Sequence, residues 1–106
     1  MKEFLVRRYH FNSNTIRVAI SDQIISLLGF GDKAYWGILD NKVPFISPEP
    51  FPGAIPGAVY RQKGCTINMP SKIFSASNLS KKDDVLVSFQ EENGDIFLYL
   101  KEETHD

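Results

Sequence analysis

Cysteine occurs once in this chain, at Cys65, and histidine twice, at His10 and His105. A disulfide framework within the chain is therefore excluded, and so is a cysteine-rich zinc site. A thiol nucleophile needs a positioned base. Both histidines are remote in sequence, so Cys65 reads as a small apolar strand residue. His10 reads as a surface strand residue, with no second metal ligand nearby. No apolar run nears the roughly 18 residues needed to cross a bilayer. The apolar run within Met1–Arg8 is too short for a signal peptide. No membrane association and a cytoplasmic location are therefore expected. Signatures of catalysis are missing too: no phosphate-binding glycine loop with Lys-Ser/Thr, no serine elbow, no paired metal-binding histidines. Gly29-Phe30-Gly31-Asp32 is too short for a phosphate loop. Asp83-Asp84 and Glu91-Glu92 read as solvated turns, not an acid–base pair. The expectation is a protein that is not an enzyme and holds no cofactor and no metal.

Net charge is also scarce, at −1, but it is unevenly spread. Ala54 to Lys82 holds Arg61, Lys63, Lys72, Lys81 and Lys82 and no acid, whereas Asp83 to Asp106 is acidic apart from Lys101. Met1 to Arg17 carries Lys2, Arg7, Arg8 and Arg17 against Glu3 alone. A nucleic acid responds to the local field rather than the sum, so a near-neutral chain can present a basic face. The plainer reading is solvation of the surface.

Strands dominate the pattern. Phe4 to Phe11 alternates as a strand; Asn12-Ser13-Asn14 is turn chemistry; Thr15 to Ile20 puts Ile16, Val18 and Ile20 on one face. Ser21 is placed to cap a short helix, with Ile24, Leu27 and Leu28 on its apolar face and Gly29 as its stop. Tyr35–Leu39 and Val43–Ile46 form a hairpin. The stretch 48–57 is a proline- and glycine-rich connector, which argues against helix or central strand there; Phe51 and Ile55 are candidates to pin it down. Val59–Lys63 and Cys65–Met69 are the next strands. Pro70 suits a first helical position, Ile73, Ala76 and Ser77 face inward, and Asn78 is the stop. Val85, Val87 and Phe89 alternate inward, Asn93-Gly94 is a strong hairpin turn, and Ile96, Leu98 and Leu100 return on the same face.

The same strand-strand-helix-strand-strand unit thus occurs twice. At a spacing of 49, Ile20 falls on Met69, Ile24 on Ile73, Phe30 on Leu79 and Trp36 on Val85. One such unit cannot bury its own strands, and a second copy supplies the missing half of a barrel. The division expected is a first unit over 1–47, the connector over 48–57, a second unit over 58–101 and a polar tail over 102–106, the two units forming one compact domain.

Thr66 to Phe89, with Met69-Pro70 at the strand–helix junction and Lys81-Lys82-Asp83-Asp84-Val85 at the turn into the hairpin, followed by Asn93 to Leu100, resembles the AbrB/SpoVT/MazE family. Arg17 to Asp32 looks like a second copy, with Ser21 where the proline would stand. The resemblance implies a mainly β fold with short helices, a swapped-hairpin β-barrel made of two ββαββ repeats. Two tandem units in one chain is the MraZ-like arrangement. It also implies transcriptional control through double-stranded DNA. The residues that would meet DNA are Arg17 at the start of the second strand, Arg7 and Arg8 on the first, Arg61 and Lys63 on the equivalent strand, and Lys72 on the second helix. Some members carry a basic pair within the helix; this chain has Ile25-Ser26 and Phe74-Ser75 there.

Arginine and lysine on strand edges also serve simply to solvate them, and the turn residues Lys81 and Lys82 read that way. Tyr35 and Trp36 are expected in the core or at an interface, although aromatic rings also stack on single-stranded bases. Two functional expectations stand. One is a DNA-binding regulator with Arg7, Arg8, Arg17, Arg61 and Lys63 on one positive surface. The other is a protein-interaction module, such as an antitoxin or adaptor, whose acidic C-terminal segment engages a basic protein partner. A homodimer stays open in both.

Overall fold

The computed structural model describes residues 2–11, 16–62, 64–81 and 84–101. The turn at 12–14 and the tail at 102–106 fall outside the described residues. The chain runs β1 (Lys2–Tyr9), β2 (Arg17–Ala19), α1 (Asp22–Leu27), β3 (Lys33–Ile38) and β4 (Pro44–Ser47). It continues β5 (Ile55–Tyr60), β6 (Thr66–Asn68), α2 (Ser71–Ala76), a 3-10 turn (Asn78–Lys81), β7 (Val85–Glu92) and β8 (Asp95–Lys101). Among the described residues the protein is mainly β, with eight antiparallel strands in the order β1-β7-β8-β4-β3-β5-β6-β2 curled into a half-barrel. Among the described residues, no helix is long and apolar enough to cross a membrane.

Alternation builds the core. Val85, Val87 and Phe89 of β7 meet Ile96 and Leu98 of β8, and Ile46 of β4 continues that layer. Trp36 of β3 lies opposite Ile46 and Ile55. Its buried indole Nε1–H donates to the Asn68 carbonyl at 2.9 Å, which satisfies the polar group that burial would otherwise penalise. Ile16, Val18 and Ile20 share the buried face expected of them. Leu98→Ala and Ile20→Ala should each cost about 2–4 kcal/mol, and Val87→Ala somewhat less. Urea unfolding checks this, and a change below about half a kcal/mol would mean a face has been misassigned.

Helix α1 departs from expectation. Leu27 is 85% exposed, and Ile25 is fully buried in its place. Leu28 is half-buried, so its truncation should cost less than those above. The cause is how the helix ends. Gly29, at φ +86°, donates to Ser26 O while Phe30 N–H reaches back to Ile25 O. This is a Schellman ending, which folds the residue after the glycine onto the side chain five positions earlier. Phe30 and Ile25 are accordingly both buried, and Leu27 turns outward. Ser21 occupies the N-cap position without a side-chain capping bond, and Pro70 stands at the N-cap of α2 rather than inside it. Helix α2 stops at Ala76, not Asn78. The Ser77 hydroxyl donates to Phe74 O and accepts from Leu79 N–H, turning the chain into the 3-10 segment.

Two further expectations are corrected. Strand β5 begins at Ile55, inside the stretch assigned to the connector. Its pairing with β6 is confined to Val59 and Tyr60, whereas Ile55 to Ala58 pair with β3. Pro56 therefore sits where the strand has one neighbour, and its missing N–H is tolerated. The 49-residue spacing holds from β2 (Arg17–Ala19) to β6 (Thr66–Asn68) and from α1 (Asp22–Leu27) to α2 (Ser71–Ala76), but not for the strands that follow the helices. The 3-10 turn adds residues before β7, so Val85 opens β7 while Trp36 lies in the middle of β3.

The outermost strands are β1 and β2. Strand β1 carries Lys2, Glu3, Arg7 and Arg8 and a register irregularity between Glu3 and Leu5. Charges and bulges of this kind deter edge-to-edge pairing. Strand β2 is three residues long, and its Ala19 has both backbone groups bonded to one phenol. Tyr9 Oη accepts from Ala19 N–H at 3.0 Å and donates to Ala19 O at 3.1 Å. Burial pushes the Tyr9 hydroxyl above its ordinary pKa, so it stays protonated and able to donate.

Candidate nucleic-acid interface

The basic residues singled out from the sequence are held in different ways. Arg7 and Arg8 are consecutive on β1, so they leave opposite faces of the sheet. Arg7 sits beside Tyr9 and lines a groove of about 500 Å³ with Phe4, Ile20, Asp22, Ile24 and Cys65. Arg8 is ion-paired with Asp84 at 3.2 Å. Arg17 is exposed on β2, its guanidinium 5.0 Å from the centre of the Tyr60 ring. A cation at that distance from the ring face is attracted by the ring's quadrupole. Lys72 is exposed on α2. Lys63 lies outside the described residues.

Arg61 is committed to the fold. Its Nη1 and Nη2 donate to the carbonyls of Gly31 and Phe30, each at 2.9 Å, and its Nε to Asp22 Oδ1 at 3.1 Å. The side chain thus ties the turn after α1 to the end of β5. Arg61→Ala should cost about 2 kcal/mol, in the range for charged hydrogen bonds. Arg61→Lys should recover only part of this, because an ammonium cannot reproduce the planar fork. Thermal unfolding of the two variants tests the assignment; wild-type stability in both would refute it.

The lining of the Arg7 groove therefore includes one arginine, Arg7, and one carboxylate, Asp22, which is itself paired with Arg61. Arg8 faces away, and the positive surface is smaller than expected. Cys65 lines the same groove but is 4% exposed, and burial raises its thiol pKa, which suits a packing residue. On the far side of β1, Glu3 accepts from Ser88 Oγ and approaches Lys101 Nζ at 3.5 Å. The Ser88 hydrogen bond, with help from Lys101, holds the Glu3 carboxyl below its ordinary value. Among the described residues no group of His, Cys, Asp and Glu is arranged to hold a metal ion.

Comparison with protein-family models, curated proteins and solved structures gives no match.

The residues that sequence reasoning passed over are Asp22, which orients Arg61, and Tyr9, which closes the end of β2. Neither has a local signal, since each acts on a partner brought to it by the fold. The half-buried outward rings of Phe45, Phe97 and Tyr99 were legible in part. They occupy the positions of β4 and β8 that alternate with buried Ile46, Ile96 and Leu98.

Proposed function

We propose that the chain is a duplex-DNA-binding regulator in which two ββαββ units interlock their hairpins into one pseudo-symmetric barrel. The observation that carries the reading is the exchange of strand partners. Strand β1 of the first unit pairs with β7 of the second, and β5 of the second pairs with β3 of the first. Like strands meet like at both joints: β2 pairs with β6 about Val18 and Ile67, and β4 pairs with β8. That pattern supports the swapped-hairpin reading over a chance assembly of hairpins, in which neighbours in sequence would pair throughout.

In this reading the β2–β6 ribbon and the flanking groove approach the duplex. Arg17 and Arg7 supply the principal phosphate contacts, with Lys72 farther along; Lys63, which lies outside the described residues, is a further candidate. Arg61 orients this surface, and Arg8 contributes little because Asp84 already neutralises it. Electrophoretic mobility shift against mixed duplex DNA, at low and high salt, tests the proposal. Affinity should fall steeply with salt. Replacing Arg7 and Arg17 together by alanine should flatten the log–log slope by about two units, one for each phosphate left without its arginine. Lys101→Ala, on the far side of the sheet beside Glu3, should leave the slope unchanged. Absence of salt-sensitive duplex binding by the wild-type protein would end this reading.

A further inference from the structure

Four aromatic rings form one row on the outer face of the sheet. Phe51 stacks on Phe45 with 5.4 Å between centroids, Phe45 on Phe97 at 5.3 Å, and Phe97 on Tyr99 at 6.4 Å. The interplanar angles are 21°, 29° and 28°. All four rings are half-buried, and none belongs to the core cluster on the other face.

The row starts over Gly37. A Cβ at that position would stand 2.5 Å from Phe45 Cζ and 2.8 Å from Phe51 Cζ, so the bare backbone is what allows both rings to lie against β3. At this end the row opens into a groove of about 410 Å³ between α2 and the connector, walled by Phe45, Phe51, Ile55 and Ile73. Among the described residues, Lys72 is the one charged group lining it, and it is exposed.

We propose that this groove and row dock a short acidic segment of another protein. One apolar side chain of the segment sits between α2 and the connector, a neighbouring carboxylate meets Lys72, and the segment continues over Phe97 and Tyr99. Charge decides the sign of the partner, because the charge that Lys72 brings to an otherwise apolar lining is positive. Extent decides its class, because the row runs on from the groove across two strands, farther than a small ligand filling the groove would reach. A nucleic acid strand fits less well. It needs a track of cations along its phosphates and free ring faces for its bases, whereas these rings stack on one another and the groove offers them Lys72 alone.

The test is selection of phage-displayed random peptides on the immobilised full-length chain, followed by fluorescence anisotropy with the enriched peptides. Leu, Phe or Trp should be enriched beside Asp or Glu. Lys72→Glu, a change on an exposed helix surface, should weaken binding by about tenfold or more, as should Phe51→Ser, in line with loss of a central anchor. The Arg7/Arg17 double alanine variant should bind the peptides like wild type, which separates this surface from the two principal DNA contacts proposed above. The proposal is overturned by enrichment of basic peptides, by no enrichment, or by affinity indifferent to Lys72→Glu. Saturable binding of a single-stranded oligonucleotide that Phe51→Ser abolishes would overturn it equally, by assigning the row to bases.

Discussion

Gly57→Ala should destabilise the protein by about 3 kcal/mol, at the upper end for overpacking a filled interior. Gly57 lies on β5 opposite Ala34, buried beneath the indole of Trp36. A Cβ there would run into the Asn68 carbonyl oxygen and stand 2.7 Å from Trp36 Nε1. The added methyl would therefore occupy the path of the indole-to-carbonyl hydrogen bond. Neither wall can retreat cheaply. Asn68 is fixed by the pairing of β6 with β2, and Trp36 is held between Ile46 and Ile55. Against a total stability of about 5–15 kcal/mol for a domain of this kind, the loss is large. Urea unfolding followed by fluorescence of Trp36, the single tryptophan, provides the measurement. The midpoint should fall with the slope unchanged. Gly31→Ala is the control, since a Cβ there meets nothing within 4 Å. A loss at Gly57 of less than about 1 kcal/mol, below the usual range for overpacking, would mean that the backbone yields there.

Cutting the chain between its halves should abolish folding altogether. A fragment of residues 1–50 keeps one described strand pair, β3 with β4, and is deprived of β7, β6, β5 and β8 as the partners of β1, β2, β3 and β4. A lone two-stranded hairpin is marginal in water. The fragment should give a thermal trace without a cooperative transition, and so should residues 51–106. Mixed in equal amounts, they should recover the circular dichroism of the intact protein and a single melting transition. A monomeric, cooperatively folding 1–50 fragment would show that the first half buries its own strands, against the observed pairing.

Much of the fold was legible because it is written in local pattern. The alternation of Val85, Val87 and Phe89 and of Ile96 and Leu98 set both the strands and their buried face, and Asn93-Gly94 marked the tight turn. What failed was decided at a distance or by detail below the periodicity. Six residues of α1 allow two apolar arcs, and the choice of Ile25 over Leu27 was made by the Schellman ending. The proline-rich stretch hid the first residues of β5, because a proline's cost depends on neighbours the sequence does not name. The candidate site was less legible than the fold. Charge counting grouped Arg7, Arg8 and Arg61, but strand alternation separates the first two, and Asp22 with two carbonyls takes up the third.

The union of β1 with β7 also bears on how the protein is made. Glu3 bonds Ser88 across 85 residues, and Arg8 meets Asp84 across 76. A ribosome adding about 5–20 residues per second leaves β1 without its partner for several seconds. Topologies dominated by such distant pairings also close slowly, in milliseconds to seconds. Throughout that interval β1 is a bare strand with both edges open and Phe4, Leu5 and Val6 in its middle. Lys2, Glu3, Arg7 and Arg8 flank that apolar trio on either side, so the nascent chain carries its own gatekeepers against aggregation before any of these charges has a partner.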